Sequence, residues 1–375
     1  MADLDRDTAP SRKRAGSKRR CHSGEGEGEG EGDIADFLEF CRGAKEQFRQ
    51  LYDMPAPRLT DLAELELCKT LGKGSFGSVR LARNKSSGEV YAVKIISKKH
   101  VVKNNQLEHV WNEVKILSSL RFSTFPFVVR LEYFHKDNSY LYCVMPCVSG
   151  GELFMLMRKV RRFSEPQARF YGAQVLLALE FLHRLGLVHR DLKLENVLVD
   201  AGGYLRLADF GSARPLSGRA WTVCGTPEYF APEVVACRGY RHSVDWWSLG
   251  VLLFEMCAGF TPFQDKSHAR QNDNIIRCRY CTPSTFSPEL RDLVKGLLQA
   301  DITRRYGCMR NGADDIKNHK WFTQISWTDV LNQRVKPSYV PRAKAVTEHS
   351  NFDRYEEEDL VVSDNEEYAD EFKDF

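Results

Sequence analysis

At 375 residues, with 42% hydrophobic and 28% charged side chains, the sequence has the make-up of a globular protein long enough for a sizeable core and two or three structural units. A formal net charge of +3 is too small to imply nucleic acid, and no apolar run reaches the roughly eighteen residues of a membrane span, since the candidates near Val175–Val188 and Leu249–Phe260 carry charges or stop short. Eleven scattered cysteines suit the reduced thiols of the cytosol or nucleus better than a disulfide framework, and Cys278-x-x-Cys281 has no second pair at zinc spacing.

Residues 1–32 run from a basic stretch, Arg12–Arg20, into a Gly-Glu repeat that cannot bury enough apolar surface to offset ordering entropy, so disorder is expected there. The basic stretch reads equally as a nuclear import signal or a solvated tail. Ala2 stands where N-myristoylation requires glycine, and charged residues stand where a secretory core would be apolar. Ile34, Phe37, Leu38, Cys41, Phe48 and Leu51 then recur at three- and four-residue spacing. They predict an amphipathic helix from Ile34 to Tyr52, lying across the main domain and ended by Pro55 and Pro57.

Leu65–Ala82 reads as strand, turn and strand around Gly72, Gly74 and Gly77. A lone GxGxxG is shared with dinucleotide folds, but there the third glycine opens a helix, whereas Val79, Leu81 and Ala82 continue a strand. Lys94 follows among apolar residues, and the predicted helix Gln106–Ser119 carries Glu113, whose carboxylate can reach that ammonium. Strands are expected over Val128–His135 and Tyr140–Met145, and helices over Glu152–Arg158 and Glu165–Leu185.

Leu187–Gly211 carries the most chemistry. Asp191, Lys193 and Asn196 fall within six residues; two short apolar segments, Val197–Val199 and Tyr204–Ala208, turn at Ala201-Gly202-Gly203; Asp209 follows. The pattern predicts a hairpin holding two acidic loops side by side. That arrangement suits phosphoryl transfer, which needs a proton acceptor and metal ligands close together and little covalent work from the protein. Further on, a helix from about Val244 is too apolar to be anything but buried.

His189-Arg190-Asp191 with Asn196, followed by Asp209-Phe210-Gly211, resembles the catalytic and magnesium loops of eukaryotic protein kinases. From about Ile34 to Phe375 the chain is similar to the catalytic subunits of cAMP-dependent protein kinases, of the AGC group. The likeness runs through Phe37–Phe48, Gly218–Glu233, Asp315–Phe322, Ser350–Glu358 and Phe372–Phe375. It implies an α+β, bilobal fold: a helix and linker (33–65), a kinase domain (66–322) with a β-rich small lobe (66–147) and a helical large lobe (148–322), and a tail (323–375) whose acidic, aromatic end wraps back over the small lobe.

By this resemblance Asp191 takes or orients the hydroxyl proton, Lys193 neutralises the transferring group, Lys94 held by Glu113 reaches the nucleotide phosphates, and Asn196 and Asp209 hold magnesium, two ions in all. Gly72, Gly74, Ser75, Phe76 and Gly77 close over the ATP phosphates. Leu71, Val79, Ala92, Met145 and Leu198 form the adenine slot beside the carbonyl of Pro146 and the backbone donor of Val148, with Glu152 at the ribose and Phe352 coming from the tail. Glu152, Glu195 and Glu255 read arginines two and three positions before the target Ser or Thr. Thr222 is an implied phosphosite with His109, Arg190 and Arg214 as its pocket; Ser363 is another, and Ser17 and Ser23 follow Arg14 and Arg20 at the spacing of autophosphorylation sites. Glu233 is implied to pair with Arg305.

Protein substrates with basic motifs are the implied partners, and a cAMP-binding regulatory subunit is a candidate. Trp221 and Arg219 of its docking face are retained, but Asn272 replaces an aromatic. Other departures are an extra stretch around Arg121–Thr124, Pro146 and Cys147 in the hinge, and Ala208 before Asp209. Two alternatives stand beside the kinase reading: a related AGC kinase without such a subunit, and a pseudokinase scaffold. A pseudokinase usually lacks the lysine, the base or the metal-binding Asp, and all three are here.

Overall fold

The computed structural model describes residues 28–58, 62–74, 77–216, 218–342, 351–352 and 355–375, with 28–35 described as backbone alone. The chain divides after Glu39 into two compact units. Helix α1 (Gly28–Tyr52) begins inside the Gly-Glu repeat and not at Ile34, so the last residues of the stretch expected to be disordered are helical. Once a helix is nucleated each further residue adds a hydrogen bond, so a strong segment propagates into a weak one. Ser17 and Ser23 lie outside the described residues. In the second unit, from Phe40 onward, α1 buries Cys41, Phe48 and Leu51, and Phe40 stacks near Phe125 and Phe181 at 6.4 and 6.0 Å between ring centroids.

The small lobe is a five-stranded antiparallel sheet in the order β1-β2-β3-β5-β4: β1 (Leu65–Gly74), β2 (Gly77–Asn84), β3 (Val90–Ser97), β4 (Tyr133–Lys136) and β5 (Tyr140–Pro146). Alternation puts Leu65, Ala82, Val93, Ile95, Tyr142 and Val144 into one apolar core. Between β3 and β4 come α2 (Lys98–Lys103), a turn capped by the Ser97 hydroxyl, and α3 (Leu107–Ser119). Val110, Glu113, Val114 and Leu117 lie on the buried face of α3 at helical spacing.

Two expectations for this lobe change. The strand expected from Val128 starts only at Tyr133, because the backbone of Phe127 and Val129 bonds instead to Leu207 of the large lobe, at 2.8 and 2.9 Å. Pro146 is the last residue of β5, opposite Tyr91 and past the reach of β4, so its missing N–H interrupts no ladder.

The large lobe follows: α4 (Leu153–Val160), α5 (Glu165–Leu185), β6 (Leu187–Val188), β7 (Val197–Val199), β8 (Leu205–Leu207), β9 (Arg214–Pro215), α6 (Pro232–Val235) and α7 (Ser243–Ala258). Then come α8 (His268–Ile276), α9 (Pro288–Leu297), α10 (Asp314–Lys317) and α11 (Trp327–Leu331). α7 is buried from Ser243 to Cys257, and α5 packs against it. The Gln174 side chain of α5 accepts from the Leu205 amide at 2.8 Å, which fixes the β7–β8 hairpin on the helical core.

The tail crosses the small lobe. The Glu357 carboxylate accepts from the Thr70 amide and hydroxyl at 2.7 and 2.6 Å, and Lys136 and Arg58 donate to the carbonyls of Phe372 and Phe375 at 2.7 and 3.1 Å. Among the described residues no helix is long and apolar enough to cross a membrane.

Candidate active site

Strand register builds the cleft wall. Directly opposed residues share a face of the sheet, so Lys94 of β3 stands beside Val79 of β2, and Ala92 beside Met145 of β5. Lys94 Nζ lies 2.6 Å from Glu113 Oε1 and 3.4 Å from Asp209 Oδ1. Glu113 is almost fully buried, whereas Asp209 is half exposed and opens to the cleft. Burial pulls the Lys94 ammonium towards neutrality, but Glu113 and then Asp209 outweigh it, so the charge is held well above the ordinary lysine range. In return Lys94 holds the Asp209 carboxyl below its usual range, against the effect of burial.

Val79, Ala92, Met145 and Leu198 are half-buried, and Leu71 and Val148 are buried. Glu152 precedes the first turn of α4 and bridges to Leu198. Asn351 donates to the Ser149 carbonyl at 3.3 Å and its own carbonyl sits where a Gly151 side chain would be; the next residue, Phe352, is half-buried. Of the glycine turn, Ser75 and Phe76 lie outside the described residues. Gly72 and Gly74 have open space, but a Cβ on Gly77 would lie 1.7 Å from the Ile95 carbonyl oxygen. Strand packing by itself demands that third glycine.

The 189–196 loop hangs from α7. Asp245, fully buried, accepts from the backbone amides of His189 and Arg190 at 2.9 Å each and lies 2.8 Å from His183 Nε2. Asp191 Oδ1 accepts from the Thr226 hydroxyl at 2.8 Å, Lys193 donates to that same hydroxyl at 3.0 Å, and Lys193 Nζ lies 3.1 Å from Asp191 Oδ2. Asn196 donates from its amide nitrogen to the Asp191 carbonyl at 2.8 Å and to Asp191 Oδ2 at 3.2 Å, and its side-chain oxygen is its acceptor end. Gly225 precedes Thr226 at φ +102, and a Cβ there would meet the Arg190 carbonyl at 2.5 Å. Sequence reasoning missed Thr226, Gly225 and Asp245. An acid at the start of a mostly apolar helix was the available signal for Asp245, since burying it without bonds would be costly.

Glu255 lies buried on α7 and accepts a hydrogen bond from the Tyr229 hydroxyl. Burial, then the nearby charges of Glu195 and Glu228, push its carboxyl up to about 7 despite that bond. Three acids therefore share one region, of which Glu228 was not foreseen; its carboxylate accepts from the Thr261 hydroxyl at 2.7 Å.

Other implied residues are placed as follows. His109 bonds Gln106, Arg214 lies 3.7 Å from Glu108, and Arg190 donates to the Ser212 carbonyl and the Tyr240 hydroxyl at 2.5 and 3.3 Å. α3 packs against β9, which brings Glu108 to Arg214 at the start of the 212–226 loop. The backbone amide of Ser363 donates to the Ser139 hydroxyl at 2.9 Å. Arg305 donates to both oxygens of Glu233 at 2.7 and 2.9 Å, with both side chains buried. Trp221 is 64% exposed, and Arg219 and Asn272 are exposed as well.

The profile of the protein kinase domain family matches residues 65–322. The chain is 43% identical over 315 residues to a catalytic subunit-like cAMP-dependent protein kinase of Caenorhabditis elegans, covering 84% of this chain and 78% of that one. It is 44% identical over 295 residues to cAMP-dependent protein kinase catalytic subunit 2 of Drosophila melanogaster, covering 78% and 82%, and 40% identical over 317 residues to cAMP-dependent protein kinase type 3 of Saccharomyces cerevisiae, covering 84% and 79%. The fold and the cleft are those of a protein kinase. The chain belongs to the protein kinase family, in the group of cAMP-dependent protein kinase catalytic subunits, and is a Ser/Thr kinase whose family uses ATP and magnesium.

Proposed function

We propose that this kinase transfers the ATP γ-phosphate to Ser or Thr in arginine-rich protein substrates, with Asp191 as the group that takes or orients the hydroxyl proton. The observation that carries the reading is Lys94, held charged between Glu113 and Asp209 and standing beside Val79 of the neighbouring strand. An ammonium so placed can grip phosphate oxygens without reorganising at the moment of reaction. Lys193, tied to Asp191 directly and through Thr226, offsets negative charge gathering on the transferring group. The Thr226 hydroxyl on Oδ1, with Lys193 and the Asn196 amide on Oδ2 at 3.1 and 3.2 Å, fixes the orientation of the Asp191 carboxylate.

Asp209, kept ionised by Lys94, and the amide oxygen of Asn196 are hard oxygen donors of the kind magnesium prefers, with room left for water and phosphate ligands, and we assign them two ions. Bound magnesium neutralises phosphate charge. The slot of Leu71, Val79, Ala92, Met145, Val148 and Leu198 takes the adenine, with Glu152 at the ribose and Phe352 at the rim.

Glu152, Glu195 and Glu255 are the proposed readers of substrate arginines, and Glu255 makes the most specific test. A guanidinium pairs with a carboxylate, not a carboxylic acid, so binding an arginine there requires Glu255 to lose its proton. Below about 7 the free enzyme carries the proton, and affinity falls as pH falls. The KM for a double-arginine peptide should rise by up to about tenfold per unit below that value, and Glu255→Gln should raise KM and flatten the dependence. A wild-type KM that is level from pH 6 to 8, with equal Glu255→Gln effects on peptides with and without the −2 arginine, would remove Glu255 from the specificity site.

Thr222 is the proposed activating phosphosite, with Arg190, Arg214 and His109 as its cationic partners, and Ser363 a second site on the tail. The exposed Trp221 and Arg219 are the proposed docking points of a cAMP-binding regulatory subunit. Stoichiometric regulatory subunit should suppress peptide phosphorylation, and cAMP should restore it. No suppression at excess subunit would favour a related kinase under other control.

A further inference from the structure

Tyr240 joins the 212–226 loop to the 189–196 loop through its hydroxyl and its backbone. Its hydroxyl donates to the Thr222 carbonyl at 2.6 Å and accepts from Arg190 at 3.3 Å. Its backbone exchanges two hydrogen bonds of 2.9 Å with Ala220, forming an isolated antiparallel bridge. Next to it, Gly239 lies under Trp221 so closely that a Cβ would meet the indole at 2.7 Å. Residues 220–222 are thus laid across 239–240, and Tyr240 itself is 3% exposed.

Arg190 gives this contact its reach. The residue is buried, its backbone is fixed by Asp245 at φ +71, and it immediately precedes Asp191. Its guanidinium is met by the neutral Ser212 carbonyl and the Tyr240 hydroxyl. A buried phenol whose donor and acceptor positions are both used is rigid, and removing the hydroxyl strands the groups it served.

We propose that Tyr240 is a positioning residue, a phosphate-independent strut that holds Thr222 and Arg190 in register so that the unphosphorylated kinase keeps a catalytic loop close to its working arrangement. A phosphate on Thr222 replaces it with charge-assisted bonds to the same Arg190, which are about twice as strong as neutral ones. The strut is then redundant. The proposal rests on the reading of Thr222 as a phosphosite with Arg190 as its partner, and the two are separable by experiment.

Four proteins decide it: wild type with Thr222 occupancy verified by mass spectrometry, Tyr240→Phe, Thr222→Ala, and the double variant. Phenylalanine keeps the ring and its packing, and thermal unfolding checks that all four are folded. In the Thr222→Ala background, Tyr240→Phe should lower kcat about tenfold, as loss of a buried hydroxyl that serves two partners, with the KM for ATP unchanged. In the phosphorylated background it should lower kcat by less than about twofold, because the charge-assisted bonds remain. An equal loss in both backgrounds, or none in the Thr222→Ala protein, overturns the strut. Full activity of Thr222→Ala alone instead overturns the phosphosite reading, while the kcat ratio of the double variant to Thr222→Ala still reports on Tyr240.

Discussion

Lys94→Met and Asp209→Ala should each cut labelled phosphate transfer from ATP to a basic peptide by about a thousandfold, the scale of losing a preorganised charge at a transition state. Both proteins should remain folded. Methionine keeps most of the Lys94 stem, and burial already pushes the Glu113 carboxyl upward, so Glu113 can take a proton when its partner is gone. Asp209 is half exposed, and truncating it opens no sealed cavity. The effects should not add, because Lys94 and Asp209 touch at 3.4 Å and act on the same phosphate charge. Initial rates with thermal unfolding curves on the same preparations check this. Near wild-type turnover in either variant would end the assignment of that residue.

The largest effect on stability should come from Arg305→Ala. Glu233 accepts two bonds from Arg305 and one from the Ser243 hydroxyl, in a site where both charged side chains are at most 5% exposed. Arg305 also donates to the carbonyls of Ser243 and Gln299 and lies over the Trp247 ring at 5.2 Å. Removing the guanidinium leaves a buried carboxylate with a single hydroxyl donor, which costs about 3–5 kcal/mol, where an exposed pair is worth about 1 at most. The melting temperature should fall by on the order of 10 °C. Replacing both partners with apolar residues of similar volume should recover part of the loss. A single-variant loss under about 1 kcal/mol, measured by denaturant titration, would mean that water reaches the pair.

The chemistry-bearing residues were legible because their partners are encoded at short or regular spacing. Lys94 and Glu113 follow from one strand and one helix, and the 187–211 stretch carries its own hairpin. What stayed hidden depends on long-range placement. Thr226 reads as a loop threonine until the fold sets its hydroxyl on Asp191, thirty-five positions away. Tyr240 likewise has no local pattern, since its value comes from Arg190, fifty positions earlier. Val128 alternates like its neighbours, yet its segment pairs with Leu207 of the other lobe, a choice that no periodicity records. α2 was missed although Ser97 offers a cap, because a six-residue helix makes too weak a periodic signal. The motif singles out Gly77, but only the fold shows the Ile95 carbonyl pressed against it.

One measurement bears most directly on the central claim: time-resolved transfer of the ATP γ-phosphate by purified wild-type protein to a peptide with arginines two and three positions before a single serine, the product mapped by mass spectrometry. The expected result is stoichiometric, magnesium-dependent phosphorylation of that serine, abolished by Asp209→Ala. A folded wild-type protein that transfers no phosphate would contradict the catalytic reading and leave a kinase fold kept for scaffolding.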